Sequence, residues 1–390
     1  MFMVPIDISQ RIKSIRYSGI RKLFDLAQST SGVVSLGIGE PDYRTPEHVI
    51  EAAKEALELG YTHYTPNAGF LDLRIAITEK MRQENNIVAD PKTETIVTVG
   101  GAGAIFLATT VLLDPGDEVL IPDPGFVTYE PCIVMTGGIP VPVPVREKDS
   151  FRMLPSDVED RITDKTKCII LNSPQNPTGG VLLEKDLRGI AQIAIENNLA
   201  VISDEVYEKL LYDGAKHLSI CSFPEMAERT ITVNSFSKTY AMTGWRVGYA
   251  VGPPEIVGEM VKIQQNTVAN APAVAQRAAL AALKGPQNFV YEMVKEYDQR
   301  RRYIVEHLND LDYFSCTPPK GAFYIFANIS KSGLSSMDFA EALLRVGKVA
   351  TVPGTAFGDL GEGYLRLCYA TPVEKIGQAL EGMRKTVGSL

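Results

Sequence analysis

RTITVNSFSKTYAMTGWRVGYAVG, residues 229–252, joins two apolar, β-branched runs through a loop of small and hydroxylated residues. The loop holds Lys238 and, eight positions on, Arg246 beside the chain's only tryptophan, Trp245. Runs of this kind, without polar alternation, are the pattern of strands buried on both faces. TIVTVG, EVLIPD, KCIILNS, LAVISDEVY, RTITVNS and RVGYAVG all read this way, and helical segments such as AGAIFLATTVLL and KDLRGIAQIAIENN separate most of them. Strands alternating with helices predict an α/β fold, a mainly parallel sheet covered on both faces.

Earlier in the chain, TPEHVIEAAKEALELG reads as a helix capped by Thr45, with Pro46 as its first residue and Gly60 at its close. Past residue 285 the rhythm changes to one long charged helix, then strands and short helices in an α+β pattern. The expected division is an arm and part of a small domain over 1–48, a large domain over 49–285 and a small domain over 286–390.

Composition narrows the function. A formal charge of −8 over 390 residues argues against nucleic acid as a partner. Five cysteines without a C-x-x-C pair read as free thiols of a reducing cytoplasm, and the four histidines do not gather with them, so no metal site is expected. No apolar run is long enough for a membrane span or a signal peptide.

Ligands of α/β sheets bind beyond the carboxyl ends of the strands, so the polar tails of these runs should meet in one cleft. Gly101, Ala102 and Gly103 open a helix with little side-chain bulk, which suits an anion at its N-terminus. Ser235 and Arg246 can serve the same anion. Asp204 ends the most apolar strand, where a carboxylate needs a cation. Lys238, in a small-residue loop, can act as a nucleophile if its amine is partly desolvated. One phosphate, a ring nitrogen and a lysine that forms a Schiff base together describe pyridoxal 5′-phosphate.

The chain also resembles the fold-type I, class I/II aminotransferases of the aspartate aminotransferase superfamily over nearly its whole length. The resemblance rests on ten pieces in order: SLGIGEPD, YTPNAG, VGGAGA, PDPGFVTY, NSPQNPTGG, ISDEVY, SFSKTYAMTGWRVG, PKGAFYIF, VPGTAFG and YLRLCYA. It implies a seven-stranded, mainly parallel sheet in the large domain. It also implies transfer of the α-amino group of an aromatic amino acid or aspartate to a 2-oxo acid such as 2-oxoglutarate, by a ping-pong route. By the same resemblance Lys238 carries the cofactor, Asp204 faces its ring nitrogen, and Tyr207 and Asn176 reach its phenolic oxygen. Phe126 lies on the ring, while Ser235, Arg246 and the amides of Gly101 to Gly103 hold the phosphate. Tyr64 reaches the phosphate from the second subunit of a homodimer, and Arg366 grips the substrate carboxylate with Asn176 and the backbone at Gly39. A cis bond is expected at Asn176–Pro177, and SGIRKLFDLA resembles archaeal aromatic and broad-specificity members.

Read singly, each residue has a plainer meaning. Asp204 could cap a helix beginning DEVYEKLL, Arg246 could stack on Trp245, and Phe126 and Tyr207 could be core aromatics. GAGAIF begins like a dinucleotide-binding turn but lacks the third glycine. A nicotinamide-dependent oxidoreductase, a lyase or related reaction on the same scaffold, and a non-enzymatic regulator domain remain the alternatives. Two departures from the resemblance bear on specificity. Gly101-Ala102-Gly103 stands where many relatives carry a Ser, Thr or Lys side chain. QQNTVANAPAVAQR offers no arginine for a distal carboxylate before Arg277.

Overall fold

The structure, a computed structural model, describes residues 7–15 and 30–390; SGIRKLFDLA lies outside the described residues. In chain order the strands are β1 (Val34–Ser35), β2 (Thr95–Thr98), β3 (Glu118–Asp123), β4 (Ile139–Pro144), β5 (Thr166–Asn172) and β6 (Ala200–Asp204). They continue as β7 (Thr230–Ser235), β8 (Gly248–Val251), β9 (Tyr324–Asn328), β10 (Val349–Ala350), β11 (Val352–Pro353) and β12 (Tyr364–Cys368). Seven of them form one sheet in the order β2-β8-β7-β6-β5-β3-β4. β8 runs antiparallel to both its neighbours and the remaining pairs are parallel.

The sheet has one strand more than the apolar runs quoted above. β4 reads IPVPVP, and its alternating prolines remove N–H donors, so it carries no ordinary strand signal. It lies at the sheet edge, where one side needs no donors. The helix at 47–58 also begins differently from its reading. It spans Glu47–Glu58 with Pro46 as the N-cap residue and no side-chain cap. The Thr45 hydroxyl instead donates to the Ala241 carbonyl (2.7 Å) and accepts from the Trp245 indole (2.9 Å). A tertiary partner has outcompeted the local cap.

The long charged segment is a single helix, Asn288–Asn309. Beyond it β11, β12 and β9 form an antiparallel three-stranded sheet, and β1 pairs with β10 in parallel. The helix expected from SSMDFAEALLRVG runs over Ser336–Ala342 and then widens into a π turn at Leu343–Gly347. One apolar core joins this part to the segment after β6. Val206, Tyr207, Leu210 and Tyr212 pack with Tyr297, Phe323, Tyr324 and Leu367.

Two buried arginines of the long helix pin that junction. Arg300 grips both carboxylate oxygens of Asp42 at 2.9 Å, which anchors the 33–43 segment. Arg301 forks onto Asp213 at 2.8 and 2.9 Å, also reaches Asp298, and lies 4.9 Å from the centre of the Tyr212 ring. Arg301 is buried, whereas Asp213 and Asp298 are partly exposed and keep Lys320 and Arg302 as further partners. Arg301→Leu is therefore expected to lower unfolding free energy by about 2 kcal/mol in chemical denaturation, the loss of its charge-assisted bonds; an unchanged transition would contradict this role.

Candidate active site

The cleft at the carboxyl edge of the seven-stranded sheet encloses a cavity of about 290 Å³. Because β2, β3, β5, β6 and β7 run the same way, their ends deliver Gly101, Phe126, Asn176, Asp204 and Ser235 to one place. Ala102, Tyr207, Lys238, Arg246, Gly39 and Arg366 line the same cavity. Eleven of the thirteen residues read from the sequence therefore converge. Gly103 and Tyr64 do not line it. Gly103 sits deeper in the helix Gly100–Leu112, and Tyr64 is 89% exposed in a separate depression with Asn270 and Val274.

Lys238 stands on a single helical turn, Phe236–Thr239, whose N-cap is Ser235. The Ser235 hydroxyl accepts from the Ser237 amide (3.2 Å) and lies 3.2 Å from the Val247 carbonyl. This turn aims the amine into the cleft, where it donates to the Gly39 carbonyl (2.6 Å). Burial pushes the amine down to about 8, with Arg366 and Arg246 adding to that and Cys368 and Glu40 opposing it.

Asp204 ends β6 and no helix follows it; residues 206–209 form a turn, so it is not a helix cap. Its Oδ2 accepts from the Tyr129 hydroxyl (2.7 Å) and its Oδ1 from the Val206 amide (3.3 Å). Burial lifts its carboxyl to about 6 despite those bonds. A cation placed opposite would favour the ionised form. Beyond this strand end Glu205, Glu208 and His217 come together, and Lys80 contacts Glu208 as the cation among them.

Arg366, on β12, reaches the cleft from the antiparallel sheet. It donates to the Gly37 carbonyl (2.6 Å) and to the Asn176 Oδ1 (3.2 Å), between the rings of Tyr324 and Phe357. Its Nε is buried without a partner. A guanidinium held this way keeps a donor ready for a carboxylate. Asn176 is itself aimed by Asn172, whose Oδ1 accepts the Asn176 amide (2.9 Å) and whose Nδ2 donates to the Asp204 carbonyl (3.0 Å). Asn176–Pro177 is cis, as are Asp123–Pro124 and Ser173–Pro174.

At the other end of the cavity the first turn of Gly100–Leu112 has no side-chain cap. A Cβ on Gly100 would stand 2.6 Å from Arg246 Nη2, so only glycine lets the guanidinium lie against this turn. Arg246 does not stack on Trp245; it takes a left-handed backbone turn (φ +53°) and donates to the Thr243 carbonyl. Uncapped amides, Ser235 and an arginine form a cradle for one phosphate. With Lys238, Asp204 and the unpartnered Arg366 Nε, the set fits pyridoxal phosphate and a carboxylate substrate.

Three lining or supporting residues escaped the sequence reading. Tyr129 lies three positions after Phe126 in PDPGFVTY, Tyr324 lies in PKGAFYIF, and Asn172 opens NSPQNPTGG; none was singled out. Their roles depend on partners 75, 117 and 32 positions away in sequence.

Comparison with known proteins agrees with this geometry. The profile described as "Aminotransferase class I and II" matches residues 31–383. An "Aspartate aminotransferase" of Pyrococcus abyssi is 49% identical, covering 97% of this chain and 98% of its own. "Aromatic-amino-acid aminotransferase 2" of Thermococcus litoralis is 48% identical over the same shares. The crystal structure of an aromatic aminotransferase from Pyrococcus horikoshii superposes with a TM-score of 0.90 at 49% identity, covering 94% of this chain and 99% of that one. A Thermus thermophilus aspartate aminotransferase solved with maleate gives 0.93 at 39% identity, covering 98% and 100%. A lysine and an aspartate in one phosphate-cradling cleft, on this fold and in this sequence company, mean that the chain belongs to the class I and II aminotransferases and is a pyridoxal-phosphate-dependent amino-acid aminotransferase.

Proposed function

We propose that this aminotransferase takes its amino group from aromatic amino acids in preference to aspartate and passes it to a 2-oxo acid. The carrying observation is the charge inventory of the cavity. Among the described residues its cations are Lys238, Arg246 and Arg366, and each has a task. Ala102, Ile105, Phe126, Val206 and Thr243, which also line the cavity, are uncharged. Arg277 lies elsewhere, paired with Asp72 and packed on Tyr61 and Phe70.

Pyridoxal phosphate, when bound, supplies an electron sink for the charge that develops when the substrate Cα loses its proton. Lys238 would hold it covalently, and its amine, lowered by burial, would be the group that takes the Cα proton. Asp204, held by Tyr129, keeps a proton on the ring nitrogen. Tyr207 and Asn176 would donate to the ring's phenolic oxygen, and Phe126 would cover the ring face. Ser235, Arg246 and the amides of Gly101 and Ala102 would hold the phosphate. Arg366, with Asn176 and the backbone at Gly39, orients the substrate carboxylate; each charge-assisted bond is worth about 1.5–3 kcal/mol.

The same reading makes the enzyme a homodimer in which Tyr64 of the partner subunit completes the phosphate cradle. Its exposed ring, outside its own chain's cavity, supports that. It also assigns residues 49–285 to the cofactor domain, with 1–48 and 286–390 forming the arm and small domain. The five buried free thiols favour the cytoplasm.

A panel of amino donors with 2-oxoglutarate tests the specificity. Phenylalanine or tyrosine should exceed aspartate in kcat/KM by at least about tenfold, the cost of about 1.4 kcal/mol for a poorly solvated carboxylate. Parity or an aspartate preference would reverse the reading. Labelling of Lys238 by an acylating reagent in the cofactor-free protein should rise with pH through a midpoint near 8, because only the unprotonated amine reacts; a midpoint near 10.5 would show an unperturbed lysine. Arg366→Lys should raise the donor KM by about tenfold or more and leave cofactor absorbance unchanged, since an ammonium cannot reproduce the planar fork.

A further inference from the structure

Tyr324 is a cavity-lining side chain that touches both Tyr207 and Arg366. It opens β9, and its hydroxyl lies 2.7 Å from the Tyr207 hydroxyl. Its ring lies under Arg366, 4.6 Å from guanidinium carbon to ring centre, with Phe357 on that cation at 4.9 Å. The contact follows from register. Cys368 pairs with Tyr324 and Arg366 with Phe326, so Tyr324 and Arg366 are diagonal neighbours on adjacent antiparallel strands. The arm has been shaped around the same hydroxyl: a Cβ on Gly39 would stand 2.5 Å from it.

We propose that Tyr324 is a positioning residue whose hydroxyl donates to Tyr207, freeing the Tyr207 hydrogen for the cofactor's ring oxygen, while its ring braces Arg366 for the substrate carboxylate. Each phenol has one hydrogen, and of two phenols in contact only one can donate to the other. Both side chains are buried, at 5% and 1% exposure, and both line the cavity, so the hydrogen that Tyr207 does not give to Tyr324 can face the cofactor. Burial raises both hydroxyls above the ordinary phenol range, which keeps them protonated. An anionic ring oxygen attracts the Tyr207 hydrogen, and Tyr324 then fills the Tyr207 lone pair. A chain of two such bonds polarises in one direction and strengthens the outer one. The charged and titratable groups facing the pair are Arg366 from β12 and Asp204 from β6, with Cys368 beside Tyr324.

The inference rests on the assignment of Tyr207 to the ring oxygen made above, and its test separates the two. The measurement is the pH midpoint of the visible absorption change of the cofactor-loaded enzyme, followed beside donor KM. A weaker donor leaves more negative charge on the ring oxygen, so the neighbouring nitrogen holds its proton to higher pH. Tyr207→Phe should raise the midpoint most. Tyr324→Phe, which keeps the ring, should raise it by about half a pH unit and leave donor KM within about twofold. Tyr324→Leu should give the same spectral shift and in addition raise donor KM by about fivefold or more, through loss of the brace on Arg366. A shift in Tyr207→Phe with none in Tyr324→Phe would sink the inference and leave the Tyr207 assignment standing. No shift in either would overturn both. Equal KM damage from Tyr324→Phe and Tyr324→Leu would reduce Tyr324 to a packing residue.

Discussion

Charged side chains are buried where the carboxyl ends of β5, β6 and β7 meet, and the chemistry proposed for this protein follows from that burial. The Lys238 amine is driven down to about 8 and the Asp204 carboxyl up to about 6 by the same burial. Each group would be a liability in an apolar cleft if left alone. In the function proposed above, one aromatic, phosphorylated ring between them would give each the partner that burial denies it.

The surroundings keep that pair usable. Hydrogen bonds from Tyr129 and Val206 hold the Asp204 carboxylate in one orientation, while Lys238 keeps only a backbone carbonyl, Gly39, as its resting partner. Two donors thus hold Asp204, and one acceptor holds Lys238. Arg366 shows a third arrangement, braced by two rings and two acceptors with its Nε left without a partner. The arm contributes through carbonyls alone. Gly37 and Gly39 answer two cations with backbone oxygens, and Asp42 ties that segment to Arg300 on the long helix.

The cofactor cleft was largely legible because its parts sit on strand ends, and strands buried on both faces announce themselves by unbroken apolar runs. Lys238, Asp204, Asn176, Ser235 and Arg246 each follow such a run or a turn beside it. The edge strand IPVPVP was hidden because its prolines remove the signal that edge position tolerates. The Thr45 cap misled because Ala241 and Trp245, nearly two hundred residues away, took the hydroxyl for themselves. Tyr129 and Tyr324 went unnoticed for a related reason: an aromatic in a strand or helix pattern reads as core until its hydroxyl is seen to have a partner.

What the sequence determined alone was the order of buried strands, the loop that carries Lys238, and the residue types able to hold a phosphate, a ring nitrogen and a carboxylate. Those features are local, set by side-chain pattern and turn chemistry within a few residues. Tertiary structure alone decided which hydroxyls reach which carboxylates, that Arg366 arrives between two rings, and that the cavity wall carries no further cation among the described residues. Those are matters of distance between segments far apart in the chain, and only packing brings such segments close enough to exchange a proton or share a charge.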